Sequence, residues 1–193
     1  MADSLPMTLR LYRKLSSAVV PFAPALIKRR LLQGKEDPAR VGERRGRTRD
    51  VRPQGPLVWI HGASVGEVLA AAGLIERLRA QNFRILLTSG TVTSAAIVAK
   101  RFPSDIIHQY VPYDSPRYVA RFLDHWQPSL ALFIESDLWP NIILASAARR
   151  LPMVLINGRM SHRSFPRWRR LSGTISALLG RFDVCLAQSR LDA

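Results

Sequence analysis

An α/β fold, with a parallel β-sheet covered by helices on both faces, is predicted from residue 57 onward by three observations. Short apolar, β-prone runs recur at 57–61, 83–88, 106–111, 130–134, 153–157 and 183–187. Helix-like stretches fill most of the intervals, at 67–80, 93–101, 115–126, 139–150 and 165–180. The runs are continuously apolar rather than alternating, which is the mark of strands buried on both faces. Together they predict one Rossmann-like domain over residues 57–188.

The first strand hands over through Gly62-Ala63-Ser64-Val65-Gly66 to an alanine-rich helical pattern, Val68 to Leu78. A strand that ends in a glycine-bearing turn and opens a helix is a standard place for such folds to hold a ligand. Ser64 and Glu67 form S-x-x-E. One reading is a capping box that ties down the helix end. The other is a general base at Glu67, aimed at a substrate hydroxyl. The spacing leaves both open.

The remaining loops beyond the carboxyl ends of the strands complete the candidate site. After the second strand comes the hydroxyl-rich Thr88-Ser89-Gly90-Thr91-Val92-Thr93-Ser94, with Thr88, Ser89 and Thr91 as candidate contacts. After the third, Asp114 and Pro116 read as a turn with a helix start. After the fourth, Glu135 shares a short loop with Asp137, and Pro140 suits a first helical turn. After the fifth come Arg159 and Arg163. Carboxylates and guanidinium groups on one sheet edge suggest a polar, anionic substrate. The glycines form neither G-x-G-x-x-G nor a P-loop, since Gly66 is followed by Glu67 rather than lysine. His61, His108, His125 and His162 are scattered, and no His/Cys/carboxylate cluster has ligand spacing, so neither metal nor cofactor is expected.

Charge narrows the partners. Twenty-nine Lys and Arg against fourteen Asp and Glu give the 193-residue chain +15. Thirteen of those cations and five of the acids fall within residues 1–52, so the excess is concentrated at the N-terminus. Anionic partners are expected. Nucleic acid is not among them, because zinc-finger spacing, an RNP-like strand and a basic zipper are all missing. Cys185 is the single cysteine; it lies in an apolar run and reads as a small buried thiol, and the lack of any disulfide partner suits a reducing, cytoplasmic setting.

Residues 1–33 read as an amphipathic membrane-anchor segment. The apolar stretch 15–27 is flanked by Arg10, Arg13 and Lys14 before it and Lys28, Arg29 and Arg30 after it. A spanning helix needs roughly 20 apolar residues, and Pro21 and Pro24 interrupt this one. Lys28-Arg29-Arg30 stands where a signal peptide would have its small-residue cleavage site. An interfacial anchor fits these features, its apolar side chains in the headgroup boundary and its cations on anionic lipid. The competing reading is a helix packed on the rest of the protein. Residues 34–56 are expected to be a basic linker or surface helix.

Taken together, WIHGASVGE (59–67), TSGTVTS (88–94), VPYDSP (111–116), the Trp126-Gln127-Pro128 turn, ESDLWPN (135–141) and NGRMSHRS (157–164) resemble the 3-deoxy-D-manno-octulosonic acid (Kdo) transferases of lipopolysaccharide assembly. GKEDPAR (34–40) matches as well, and AQSRLDA (187–193) resembles that family's crossing between two domains. The resemblance implies the N-terminal half of a GT-B glycosyltransferase. This half would bind the lipid A precursor, and a second domain, expected beyond residues 189–193, would bind the donor CMP-Kdo. It places the chain at the cytoplasmic face of the cell inner membrane.

The resemblance also implies roles. Glu67 matches the family's catalytic base, and Glu135 an acidic position associated with stabilising the transition state. Ser64, Gly66, Thr88, Ser89, Thr91, Arg159 and Arg163 become candidate substrate contacts. Asp137 stands where glutamate is usual, one methylene shorter. Two other readings compete: a GT-B enzyme of different donor or acceptor specificity, and a stand-alone lipid- or anion-binding domain.

Overall fold

The computed structural model describes residues 5–135, 138–160 and 164–189. Six strands form one parallel sheet: β1 (Leu57–His61), β2 (Arg84–Ser89), β3 (Ile107–Tyr110), β4 (Leu130–Ile134), β5 (Met153–Gly158) and β6 (Val184–Ala187), in the order β3-β2-β1-β4-β5-β6. The predicted α/β class and Rossmann-like sheet are thus present. The strand order reverses between β1 and β4. In an open α/β sheet that reversal opens a crevice at the carboxyl ends, where ligands bind.

Side chains alternate across the sheet, so each strand feeds two cores. Leu57, Trp59, Leu86 and Phe133 pack beneath α6 (Pro116–Trp126), α7 (Pro140–Ala148) and α9 (Ser172–Leu179). Val58, Ile60, Leu87 and Ile134 pack against α3 (Val65–Ala70), α4 (Ala72–Ala80) and α5 (Val92–Arg101). Trp59 is the centre of the first core. Its ring lies 4.8 Å from that of Phe122 and 5.3 Å from that of Phe133, and its indole N–H donates to Thr88 Oγ1 at 2.8 Å. Burial of a side chain that large contributes about 2–3 kcal/mol, and the bonded N–H removes the cost of hiding a donor.

The N-terminal segment forms α1 (Met7–Ala18) and α2 (Ala23–Leu32), joined by a short 3-10 turn, with Pro21 and Pro24 at helix starts where a missing N–H costs nothing. The segment has a face packed on the sheet domain and a face that is exposed. Leu9, Ala23 and Ile27 are buried, Tyr12 donates to Asp114 Oδ2 at 2.9 Å, and Ser16 Oγ accepts from Asn141 Nδ2 at 2.9 Å. Met7, Leu11, Leu15, Val19, Phe22 and Leu26 are exposed. Among the described residues no helix is long and apolar enough to cross a membrane.

Two expectations are corrected. Residues 34–56 are not a linker. Glu36, Glu43 and Arg44 are buried, and Gly46, at φ 70°, crosses α6 so closely that a Cβ would lie 2.2 Å from the Tyr118 carbonyl oxygen. Charge-rich sequence concealed the contact because these charges are paired with one another and with backbone carbonyls rather than solvated. Cys185 is exposed, not buried. It lies on β6, the edge strand, whose side chains Val184 and Leu186 are exposed as well.

Candidate functional site

Glu67 and Glu135 come from the two strands that flank the reversal. Glu67 enters in the first turn of α3 and is 9% exposed. Its Oε2 accepts from the Ala63 amide at 2.7 Å, and its Oε1 accepts from the Ser64 hydroxyl at 2.8 Å. Ser64 is also the N-cap, its Oγ accepting from the Glu67 amide at 3.3 Å. Ser64 therefore caps the helix as expected, while Glu67 reaches one residue past the N-cap to the Ala63 amide, and both residues stand in the candidate site. Two fixed donors orient the carboxylate. Ser64 and Gly66 are exposed beside it.

The β1 loop is laced to the β2 loop. The Gly62 amide donates to the Thr88 carbonyl at 3.1 Å, and the Gly90 amide donates to the Ala63 carbonyl at 3.2 Å. A Cβ on Gly90 would stand 3.0 Å from that same carbonyl oxygen, tighter than a side chain normally sits, so glycine lets the two loops approach closely. Thr88 and Ser89 are fully buried. Thr88 Oγ1 serves Trp59 and His61 Nδ1 (2.9 Å), and Ser89 Oγ pairs with His108 Nε2 at 2.9 Å. They shape the loop from beneath and present no surface to a ligand, which corrects their placement as substrate contacts. Thr91 is exposed and caps α5, accepting from the Ser94 amide at 3.1 Å.

Glu135 ends β4 in the left-handed region, φ 63°, unusual for a residue with a side chain. Its amide is tied to the Ile156 carbonyl at 2.9 Å, and its carboxylate lies 3.2 Å from Arg159 Nη2. Glu135 and Arg159 therefore share one rim, as a guanidinium beside a carboxylate. Arg163 and Asp137 lie outside the described residues. Among the described residues no group of three or more His, Cys, Asp or Glu could hold a metal ion.

A cavity of about 320 Å³ opens beside the Glu67 loop. Ala63, Gly90 and Thr91 form one wall, Tyr113 and Asp114 another, and Trp139 a third, with Arg30 and Arg44 closing it. Apolar walls with a few convergent polar groups are what a small polar ligand requires. Larger grooves lie elsewhere, including one of about 530 Å³ along Ala39–Asp50 and one of about 550 Å³ between Gln127 and Pro152. Neither touches a carboxyl-end loop, so position rather than size selects the site.

Several of these residues escaped the sequence reading. Arg44 donates from Nη2 to the Gly90 carbonyl at 2.7 Å, from Nη1 to the Val111 carbonyl at 3.2 Å, and from Nε to Glu36 at 2.8 Å. Asp114, read as a turn residue, caps α7 from a distance: its carboxylate accepts from the amides of Asn141 (3.0 Å) and Ile142 (2.9 Å). Burial pushes the Asp114 carboxyl above its ordinary value, although these bonds oppose the shift. The signal for Arg44 lay only in the charge-rich segment it belongs to, which composition reads as solvated.

Comparison with known proteins now decides the lineage. A family model described as 3-deoxy-D-manno-octulosonic-acid transferase (kdotransferase) matches residues 39–193. The chain belongs to the Kdo transferase family. It is 38% identical over 186 residues to a probable mitochondrial 3-deoxy-D-manno-octulosonic acid transferase of Arabidopsis thaliana, covering 94% of this chain and 42% of that protein. It is likewise 38% identical over 186 residues to the 3-deoxy-D-manno-octulosonic acid transferase of Rickettsia bellii, covering 95% and 44%. For the Haemophilus influenzae transferase the identity is 34% over 141 residues, covering 72% and 33%. The chain thus spans less than half the length of these Kdo transferases. Within the family sheet, Glu67 and Glu135 occupy the two loops that the strand reversal brings side by side.

Proposed function

We propose that this chain is the acceptor-binding half of a glycosyltransferase that moves Kdo from CMP-Kdo to a lipid A precursor, lipid IVA, in lipopolysaccharide core biosynthesis. The observation that carries the reading is the Glu67 carboxylate, held by the Ala63 amide and the Ser64 hydroxyl at the strand reversal, beside a cavity and within a Kdo transferase family chain.

A sugar hydroxyl is a weak nucleophile, and its proton must leave as the bond to the anomeric carbon of Kdo forms. Glu67 takes that proton. Glu135 supplies negative charge near the oxocarbenium-like centre that develops as CMP departs, and Arg159 steers that carboxylate. Ser64, Gly66 and Thr91 border the acceptor. CMP-Kdo is assigned to the family's second domain.

The apolar outer face of α1 and α2, with Lys14, Lys28 and Arg29 exposed beside it, is assigned to the anionic cytoplasmic surface of the inner membrane, where the acceptor resides. The reading is tested by Kdo transfer from CMP-Kdo to lipid IVA, using a full-length transferase that contains these residues. Absence of transfer to lipid IVA, with transfer from another nucleotide sugar or to another acceptor, overturns it.

A further inference from the structure

The N-terminal segment does more than present an apolar face. Arg30 stands in the last turn of α2, and the chain folds back on it, the Lys35 amide donating to the Arg30 carbonyl at 2.9 Å. This return brings Glu36 to Arg30, whose Nε donates to Glu36 Oε1 at 2.6 Å. The other carboxylate oxygen takes Arg44 Nε, and the Tyr113 hydroxyl donates to Oε1 at 3.2 Å. Glu36 is 5% exposed.

Two guanidinium groups therefore share one carboxylate, which leaves one positive charge. Burial works to raise the Glu36 carboxyl, but its bonds to Arg44 and Arg30 outweigh it and hold the group below its ordinary value. It stays ionised and fixes both arginines. Arg44 is spent, since its terminal nitrogens serve the Gly90 and Val111 carbonyls. Asp114, the acid on the cavity wall, is occupied by Tyr12, Asn141 and Ile142. Arg30 differs from both: Glu36 takes its Nε and Tyr113 lies within reach of its guanidinium, but its side chain remains 32% exposed where it borders the cavity.

We propose that Arg30 is the contact for an oxyanion carried by the sugar substrate, a phosphate or a carboxylate, seated in the cavity beside the Glu67 loop. A guanidinium anchored through Nε presents its terminal nitrogens as a fixed fork, the geometry suited to such a group. Arg30 is then a specificity residue, contributed by a segment whose other face is apolar. The proposal rests on the acceptor-site reading above.

The test is a titration of the isotope-labelled 193-residue chain, followed by amide shifts, with three probes: a phosphorylated glucosamine disaccharide, its dephosphorylated form, and a Kdo glycoside bearing only a carboxylate. At least one anionic probe is expected to bind tenfold or more tightly than the neutral disaccharide, shifting Ala63, Gly90 and Thr91. Which anionic probe prevails identifies the source of the oxyanion. Arg30→Gln is expected to reduce the advantage of the anionic probe over the neutral one below about threefold. Arg30→Lys keeps the charge and the pair with Glu36, and is expected to retain part of the preference, so the proposal remains open to refutation if Arg30→Gln folds poorly. Equal affinity for neutral and anionic probes overturns the subsite while leaving the acceptor site standing. An undiminished preference in Arg30→Gln and in Arg30→Lys alike overturns it too. If no probe, neutral or anionic, perturbs these amides, the acceptor-site reading itself fails.

Discussion

Arg44 donates to the Gly90 carbonyl at 2.7 Å, and Gly90 in turn donates from its amide to the Ala63 carbonyl. The position of the loop that carries Glu67 is therefore set partly by a buried arginine from a segment well before the sheet begins.

Removing Arg44 leaves buried Glu36 with Arg30 as its remaining cation and takes the donor from the Gly90 and Val111 carbonyls. Arg44→Met is expected to cost about 3–5 kcal/mol of stability, read by chemical denaturation. A loss under about 1 kcal/mol would show that the pair does not brace the loop.

Glu67→Gln retains an acceptor oxygen for one of the two donors and the capping geometry of Ser64, but cannot take a proton. In a full-length transferase, turnover is expected to fall roughly 10²-fold or more, with a stability change under about 1 kcal/mol. Near-normal turnover would return Glu67 to a purely capping role.

Gly46→Ala places a Cβ against the Tyr118 carbonyl at φ 70°. A loss of about 2 kcal/mol or more is expected, because the obstacle is backbone and cannot rotate aside. A melting curve indistinguishable from that of the wild type would contradict the close crossing of α6.

Acid should destabilise the fold in two stages. His108 is pushed down from 6.5 to about 3 by burial, then by Arg40 and Arg44. Between those values the unfolded chain binds the proton and the folded one does not, so stability is lost as pH falls below about 6.5. Glu36, also depressed, contributes stability above its unfolded value of 4.5 that is lost as pH falls through its folded value. His108→Gln is expected to flatten the upper stage alone in pH-dependent denaturation, and an unchanged profile would remove His108 from the account.

Liposome flotation checks the outer face of the N-terminal helices. Leu15→Asp with Phe22→Asp is expected to abolish binding to anionic vesicles, whereas raised salt should only weaken it. Deleting residues 1–33 is the poorer experiment, because it uncovers the surface beneath Leu9 and Ile27 and removes Arg30 from the cavity. Unchanged flotation of the double variant would direct attention to Arg167, Arg169 and Arg170.

How far the sequence was legible varies with the range of the interaction. Strand positions were readable because a continuously apolar run such as LALFI has few alternatives, and Ser64–Glu67 was readable because capping is local. Thr88 and Ser89 were misread because a hydroxyl at a strand end looks the same whether it faces solvent or a tryptophan on the next strand. Arg44 and Glu36 were missed for a related reason: a buried ion pair has the composition of a solvated surface. Cys185 failed in the opposite direction, since an apolar run reads as buried and this one forms the exposed edge strand of the sheet.

The strand order has a kinetic consequence. β1 pairs with β4 through residues as far apart in the chain as Val58 and Leu130, the longest closure in the sheet, whereas the other pairings join nearer segments. Loop closure of that span slows assembly, and the seam it closes is the one that brings Glu67 and Glu135 together. The two carboxylates thus sit on opposite sides of the one seam in the sheet that only a distant part of the chain can close.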